Sequence, residues 1–174
     1  MFDLKGKTAL ITGSGQGIGK STALLLAKQG AKAIINWRSN DEVAAKTIEE
    51  LKAQGADFLT WKYDLSKPTV KKDFEAFMKE NNVTVDILVL NASVQIRNAW
   101  ENIPVEEFDF QMRVNLYATL ALIQACVPGM REKHWGRIVT VGSVQQYRPN
   151  TAMAVYAASK AGIRNLVLTL SVQL

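Results

Sequence analysis

Hydrophobic residues in this chain occur in short uninterrupted runs, separated by longer segments in which apolar and polar positions recur at helical spacing. Several runs lack the alternation of a half-exposed strand, so we expect helices to cover them on both faces. The runs predict strands at 8–12, 33–37, 58–63, 87–91 and 137–141. The intervening segments predict helices at 17–29, 41–54, 69–81, 105–130 and 151–174.

Turn and cap residues stand at the ends of these predicted helices. Gly30 and Gly55 follow two of them, and Ser39 and Asn40 precede the second. Because strands and helices alternate strictly, the connections are right-handed crossovers and the sheet is parallel. We therefore predict an α/β fold with a doubly wound parallel sheet, whose ligands lie at the carboxyl ends of the strands, near the switch in strand order.

The composition narrows the chemistry that this domain can perform. The 174 residues are 48% hydrophobic and 21% charged, which is ordinary for a globular protein and excludes wholesale disorder. The lone Cys126 excludes an internal disulfide framework and a cysteine zinc cluster. The lone His134 removes most histidine metal sites and makes a Ser-His-Asp triad hard to build, so we expect no metal.

The formal net charge of +5 does not identify a polyanionic partner. Its densest basic places are 71–72, 131–133 and Arg137, and acids are interleaved nearby, so we interpret them as solvated helix faces and predict no nucleic-acid binding. The first residues lack the basic cluster and apolar run of a signal peptide. The longest uncharged stretch, 114–130, contains polar residues and falls short of a bilayer-spanning helix. We therefore expect a cytoplasmic protein without a membrane partner.

The sequence between the first strand and the first helix, TGSGQGIG at 12–19, predicts a phosphate-binding turn. Glycines let the backbone turn tightly and approach a pyrophosphate, and the helix start adds a partial positive charge. The triphosphatase pattern fails because Ser14 stands where it requires glycine, and G-x-G-x-x-G fails as well. The pattern that fits is T-G-x-x-x-G-x-G, through Gly13, Gly17 and Gly19. Alone, such a turn also occurs for purely structural reasons.

A second group of residues predicts acid–base chemistry. Ser143 follows the fifth strand, and Tyr156 and Lys160 are one turn apart on the last helix, so they share one face. A free phenol is a poor acid–base catalyst at neutral pH, whereas an ammonium group nearby favours the phenolate. Ser143 is then placed to orient and polarise a substrate carbonyl. Each residue alone also has an ordinary structural interpretation.

Together, these features resemble the short-chain dehydrogenase/reductase family over essentially the whole chain. The residues that carry the resemblance are the glycine turn, Asn91 and Ala92 after the fourth strand, Asn115, Ser143, Tyr156 and Lys160. The resemblance implies a single Rossmann-like, NAD(P)-binding αβα domain over 1–174 with strand order 3-2-1-4-5. It also implies reversible hydride transfer between a nicotinamide and a carbonyl compound or secondary alcohol.

The resemblance assigns roles to the catalytic candidates. Tyr156 is the proton donor in reduction, Lys160 also binds the nicotinamide ribose, and Ser143 holds the carbonyl. Asn115 matches the family's fourth catalytic residue, which holds a water in a proton relay. The cofactor-binding candidates are Gly13, Ser14, Gln16, Gly17, Ile18, Arg38, Ser39, Asp64, Leu65, Asn91, Ala92, Ser93, Tyr156 and Lys160.

The end of the second strand favours NADP(H) over NAD(H). An NAD site would place an acid there, but Arg38 and Ser39 follow the strand, and the first acid, Asp41, lies in the next helix. A guanidinium suits a 2′-phosphate by charge and by bidentate geometry. The alternative is that Arg38 is a solvated loop residue.

The chain departs from the family in two places. Ser93 stands where the family usually has glycine, and it is small enough to be tolerated near the cofactor. The sequence also ends at Leu174 inside the catalytic helix, whereas family members continue into further strands and a segment that covers the substrate. We expect such a carboxyl-terminal part to follow. The alternative is a catalytically incomplete NADP(H)-binding fragment that acts as a binding or interaction module.

The loops after strands four and five suggest a substrate class. They are polar and cationic, which favours a hydroxylated or acidic carbonyl compound such as a sugar, a sugar acid or a short oxoacyl group, although the same residues are also ordinary in solvated loops. The substrate candidates are Gln95, Ser143, Gln145 and Tyr156. The resemblance further implies a homo-oligomer, a dimer or tetramer, that associates through the helices carrying Asn115 and Tyr156.

Overall fold

Five parallel strands form one sheet in the computed structural model, which describes residues 3–148 and 150–174. The strands lie in the order β3-β2-β1-β4-β5, which confirms the predicted order. Leu10 of the central strand pairs with Ile34 on one side and with Leu88 on the other. The order changes direction beside β1, so ligands are expected where β1 and β4 end. The strands are β1 (Thr8–Ile11), β2 (Lys32–Trp37), β3 (Phe58–Lys62), β4 (Ile87–Leu90) and β5 (Arg137–Thr140).

Helices follow the strands as predicted, with two differences. The segment predicted as one helix over 105–130 is divided by a π-helical turn at Arg113–Tyr117. Short 3-10 turns at Trp100–Asn102 and Val144–Gln146 were not predicted, because a three-residue turn is too short to produce a periodic pattern in the sequence. The helices are α1 (Gly17–Lys28), α2 (Asp41–Ala53), α3 (Val70–Glu80), α4 (Val105–Met112), α5 (Ala118–Glu132) and α6 (Ala154–Ser171).

The predicted cap and turn residues lie at the ends of α1 and α2. The Asn40 side chain accepts a hydrogen bond from the Val43 amide at 3.0 Å and so caps α2. Gly30 and Gly55 lie just beyond α1 and α2 with φ angles of 92° and 63°, in the region where a β-carbon would be strained.

The sheet has a separate hydrophobic core on each face. Leu10 points to the side where Phe74 of α3 and Leu122 of α5 pack, and Ile11 points to the side of Ala23 on α1. All five of these side chains are fully buried. Successive residues of β1 therefore meet helices on opposite faces, which explains the uninterrupted apolar run in the sequence.

The apolar stretch at 114–130 is largely buried within the chain itself. Ala118, Leu122 and Cys126 of α5 belong to the same core as Phe74 of α3. The many apolar residues of this stretch therefore do not require a second subunit to cover them. No helix in residues 3–148 or 150–174 is long and apolar enough to cross a membrane.

Candidate active site

A cavity of about 660 Å³ opens where β1, β2, β3 and β4 end, at the predicted edge of the sheet. Predicted cofactor residues from four separate loops meet in its wall. They are Gly13, Gln16, Gly17, Ile18, Arg38, Ser39, Asp64, Leu65, Asn91, Ala92 and Ser93.

Ser14 is the predicted residue of the glycine turn that does not line this cavity. It is fully buried, its hydroxyl donates to the Ile11 carbonyl at 2.8 Å, and it accepts from the Asn36 amide at 2.9 Å. Ser14 therefore joins the ends of β1 and β2 beneath the turn. Its contact with a cofactor stays a prediction.

The glycine turn is packed so closely that side chains are excluded at two positions. A β-carbon on Gly13 would lie 2.9 Å from the Ala92 α-carbon, and one on Gly19 would collide with the Gly13 carbonyl oxygen. Gly17 has a φ of 57° and open space beside it. Because α1 begins at Gly17 without an acid in its first turn, its amino end is free to bind an anion.

Asn36 organises this turn, although sequence reasoning did not select it. It is 2% exposed, and its Oδ1 accepts from the Gly13 amide at 3.2 Å. Its Nδ2 donates to the carbonyls of Trp61 at 3.0 Å and Tyr63 at 3.2 Å. The one available signal was a polar residue inside an apolar run, since such a residue needs buried partners.

Arg38 lies exposed at the rim of the cavity, and its guanidinium carbon is 5.6 Å from the centre of the Phe110 ring. The neighbouring acid, Asp41, is occupied by Lys62 at 2.6 Å and by the Trp37 indole at 2.8 Å. The hydrogen bonds from Lys62 and Trp37 hold the pKa of Asp41 below its usual range. Within the described chain, Arg38 forms no ion pair, so its charge is free for an anion.

Several residues that line the cavity were absent from the predicted set. They lie in the glycine turn, at strand ends and in the segments after them, at the start of α2, on α4 and in the π-helical turn, and the fold brings them together around the cavity. They are Gly15, Asn36, Trp37, Asn40, Val43, Tyr63, Val94, Ile96, Phe110 and Val114.

Lys160 is buried beside Tyr156 on α6. Lys160 is only 2% exposed, and its Nζ donates a hydrogen bond to the Val141 carbonyl at 2.9 Å. The same Nζ lies 5.7 Å from the centre of the Tyr156 ring. Burial lowers the pKa of Lys160. Lys160 forms no ion pair with a carboxylate among the residues that the structure describes; its partners there are the Val141 carbonyl and the Tyr156 ring.

Ser143 follows β5, and its hydroxyl is oriented by the next turn. Its Oγ accepts a hydrogen bond from the Gln145 amide at 3.2 Å. Since that lone pair is used, the hydroxyl proton stays available to donate to a carbonyl oxygen. Gln95 is exposed in the segment after β4, which touches the segment after β5 through the Asn98 amide and the Ala152 carbonyl at 3.0 Å.

Asn115 is fully buried in the π-helical turn and connects two segments of the site. Its Oδ1 accepts from the Val94 amide at 2.8 Å and from the Ser93 hydroxyl at 3.2 Å. Its Nδ2 donates to the Val94 carbonyl at 2.9 Å and to Ser159 Oγ at 3.0 Å. Oδ1 and Nδ2 thus form two hydrogen bonds each, so the side chain has no remaining donor or acceptor position for a water. Its main-chain carbonyl accepts from the Thr119 hydroxyl at 2.9 Å.

Comparison with known families agrees with this geometry. The family model described as short chain dehydrogenase matches residues 7–174. This chain belongs to the short-chain dehydrogenase family. The π-helical turn, the glycine turn and the Tyr156–Lys160 pair thus lie within one family match.

Two curated short-chain dehydrogenase relatives are each 35% identical to the chain. The D-beta-hydroxybutyrate dehydrogenase of Rhizobium meliloti (strain 1021) aligns over 168 residues, which are 96% of this chain and 65% of the relative. The 2-dehydro-3-deoxy-D-gluconate 5-dehydrogenase of Bacillus subtilis (strain 168) aligns over 165 residues, which are 95% and 64%. The chain thus spans somewhat less than two thirds of the length of these relatives.

Two crystal structures of short-chain dehydrogenase proteins with NADP are also similar. The 3-oxoacyl (acyl-carrier-protein) reductase of Agrobacterium tumefaciens C58 has a TM-score of 0.89 and 36% identity, covering 97% of this chain and 65% of that one. A metagenomic short-chain oxidoreductase has a TM-score of 0.92 and 28% identity, covering 98% and 77%. The first of these combines fold similarity with the higher sequence identity.

Proposed function

We propose that this short-chain dehydrogenase is the cofactor-binding and catalytic part of an NADP(H)-dependent oxidoreductase acting reversibly on a carbonyl compound or secondary alcohol. The observation that carries the proposal is the buried ammonium of Lys160, which lies over the Tyr156 ring without a carboxylate in the described chain. A buried cation of this kind stabilises an anion nearby, and the phenolate of Tyr156 is the anion that acid–base catalysis requires.

The cavity fits a dinucleotide, because its wall combines a turn without side chains, a helix amino end and a free guanidinium. In this proposal the main-chain amides at Gln16, Gly17 and Ile18 hold the pyrophosphate, while Arg38 and Ser39 hold the 2′-phosphate. When bound, the nicotinamide supplies the hydride for reduction or accepts it in oxidation. The remaining contacts are Gly13, Asp64 and Leu65 around the adenosine, and Asn91, Ala92, Ser93, Tyr156 and Lys160 toward the nicotinamide.

The chain's own residues handle the proton and orient the substrate. In reduction, Ser143 and Tyr156 donate hydrogen bonds to the carbonyl oxygen while the carbonyl carbon receives the hydride. The oxygen then takes the proton of Tyr156, which leaves the secondary alcohol and a phenolate. The ammonium of Lys160 stabilises that phenolate, and oxidation reverses each step.

Replacing Tyr156 by phenylalanine tests this chemistry. Tyr156→Phe removes the proton donor but keeps the ring beside Lys160, so turnover should fall by at least about 100-fold while NADPH affinity is kept. Turnover is followed by NADPH absorbance with substrates of the relatives' classes: a 3-hydroxybutyrate, a dehydrodeoxygluconate and a 3-oxoacyl thioester. Turnover like that of the unmodified protein would contradict the mechanism. Binding of NADPH without turnover of any compound would instead support a binding module.

Replacing Arg38 by alanine tests the cofactor preference. A charge-assisted contact with a phosphate contributes about 1.5–3 kcal/mol, so Arg38→Ala should weaken NADPH binding by about 10- to 150-fold. NADH has no 2′-phosphate, and its affinity should change little. Trp37 lines the cavity, so its fluorescence can report both titrations. Equal NADPH affinities in the two proteins would refute the role of Arg38.

The substrate is proposed to be a hydroxylated or acidic carbonyl compound, and the protein is proposed to be a homo-oligomer. Val105 and Phe108 on α4 and Leu168 on α6 are 64%, 44% and 50% exposed, on the helices next to the site. Phe108→Glu and Leu168→Glu should therefore lower the mass measured by light scattering. Leu25→Glu on α1, where the side chain is 59% exposed, is the matched control that should leave the mass unchanged.

A further inference from the structure

Arg38 and Phe110 meet across the mouth of the cavity. Arg38 comes from the loop after β2 and Phe110 from α4, and both line the cavity. The 5.6 Å between the guanidinium carbon and the ring centre lies within the range of cation–π attraction. The contact therefore links the two walls at the adenosine end of the proposed site.

Phe110 is the partner that the structure gives to this guanidinium. Two acids of the cavity region have other partners. Asp41 is held by Lys62 and Trp37, and Asp64 accepts the Ser66 amide at 2.9 Å. A guanidinium without a carboxylate is free to exchange the face of an aromatic ring for a better anion.

We propose that Phe110 is a residue that determines cofactor preference, because it competes with the 2′-phosphate of NADP(H) for Arg38. The proposal rests on the proposed NADP(H) function. When NADP(H) binds, the guanidinium leaves the ring and pairs with the phosphate, since a charge-assisted bidentate contact is the stronger one. NAD(H) carries a hydroxyl at that position, so Arg38 stays on Phe110. The aromatic ring thus reduces the difference in affinity between the two cofactors.

The expected effect of removing the ring follows from the strength of such contacts. A cation–π contact at an exposed rim corresponds to about a two- to fivefold change in a binding constant. Phe110→Leu keeps an apolar side chain but lacks the aromatic face. It should tighten NADPH binding by about two- to fivefold and leave NADH binding nearly unchanged. Phe110→Tyr keeps the aromatic face and should bind both cofactors like the unmodified protein.

A double-mutant cycle assigns the effect to Arg38. Dissociation constants for NADPH and NADH are measured by titration for the unmodified protein, Phe110→Leu, Arg38→Ala and the double variant. Once Arg38 is absent, Phe110→Leu should no longer change the NADPH-to-NADH affinity ratio. Phe110→Met serves as a second variant without an aromatic ring, and circular dichroism confirms that each variant is folded.

The outcomes separate this inference from the function on which it rests. If Phe110→Leu weakens both cofactors equally, Phe110 is an adenine contact and the inference is wrong. A change in ratio that persists without Arg38 would also overturn it. If Arg38→Ala weakens NADPH but Phe110→Leu leaves the ratio unchanged, the inference alone fails. If Arg38→Ala has no effect on NADPH, the 2′-phosphate contact of the proposed function fails first.

Discussion

Replacing Asn115 by alanine should destabilise the whole fold, because this side chain joins the segment after β4 to α6. Asn115→Ala removes all four of its side-chain hydrogen bonds in a fully buried position. Ser93 is exposed and can bind water instead. Ser159 keeps the bond that its hydroxyl donates to the Tyr156 carbonyl at 2.7 Å. The two backbone groups of Val94 lose their partners.

The size of the effect follows from these groups. A buried polar group left unpaired costs about 1–3 kcal/mol, and the two hydrogen bonds of Val94 are only part-buried, so its amide and carbonyl together should lower the free energy of unfolding by about 2 kcal/mol. Ser159→Ala, which leaves one N–H of Asn115 without its acceptor, should cost about 1 kcal/mol. The two variants share one hydrogen bond, so the double variant should cost less than their sum by about 1 kcal/mol.

Urea denaturation, followed by circular dichroism, measures each of these free energies. Two-state behaviour is checked with tryptophan fluorescence as a second probe. The reasoning would be refuted if Asn115→Ala cost less than about 1 kcal/mol, or if its effect and that of Ser159→Ala were strictly additive.

Three further predictions concern the glycine turn, the ion pair between Lys133 and Asp86, and the buried Lys160. Gly19→Ala places a β-carbon against the backbone of the glycine turn, so both the melting temperature and the NADPH affinity should fall. An unchanged NADPH affinity would contradict the close packing of this turn. Lys133→Met leaves the carboxylate of Asp86, which is 1% exposed, without its cation at 2.7 Å. The free energy of unfolding should fall by about 2 kcal/mol, whereas Lys62→Met at an exposed pair should cost less than about 1 kcal/mol. Burial lowers the folded-state pKa of Lys160 below 10.5, so the unfolded chain binds more protons between the two pKa values and stability should rise with pH across that window. Urea midpoints from pH 7 to 10 should show that Lys160→Met lacks this part of the rise.

Strand and helix positions could be predicted from the sequence because they depend on neighbouring residues. A short uninterrupted apolar run between turn residues, such as the one around Leu10, is typical of a strand that is covered on both faces. The spacing of Tyr156 and Lys160 places them on one helix face in whichever fold the helix occurs. The positive φ at Gly17 and the close packing at Gly19 likewise follow from a local turn.

Contacts between distant segments were decided by the tertiary structure alone. Phe110 reaches Arg38 because the strand order places α4 opposite the end of β2. Asn36 binds the glycine turn because β2 lies beside β1, and the division of the fourth helix places Asn115 against Ser159. Periodicity carries no record of such partners, since a hydrogen bond or a cation–π contact depends on the approach of two surfaces. The sequence thus determined the sheet, the helices and the chemical groups of the site, and the packing of the sheet and helices determined which groups hold one another in place.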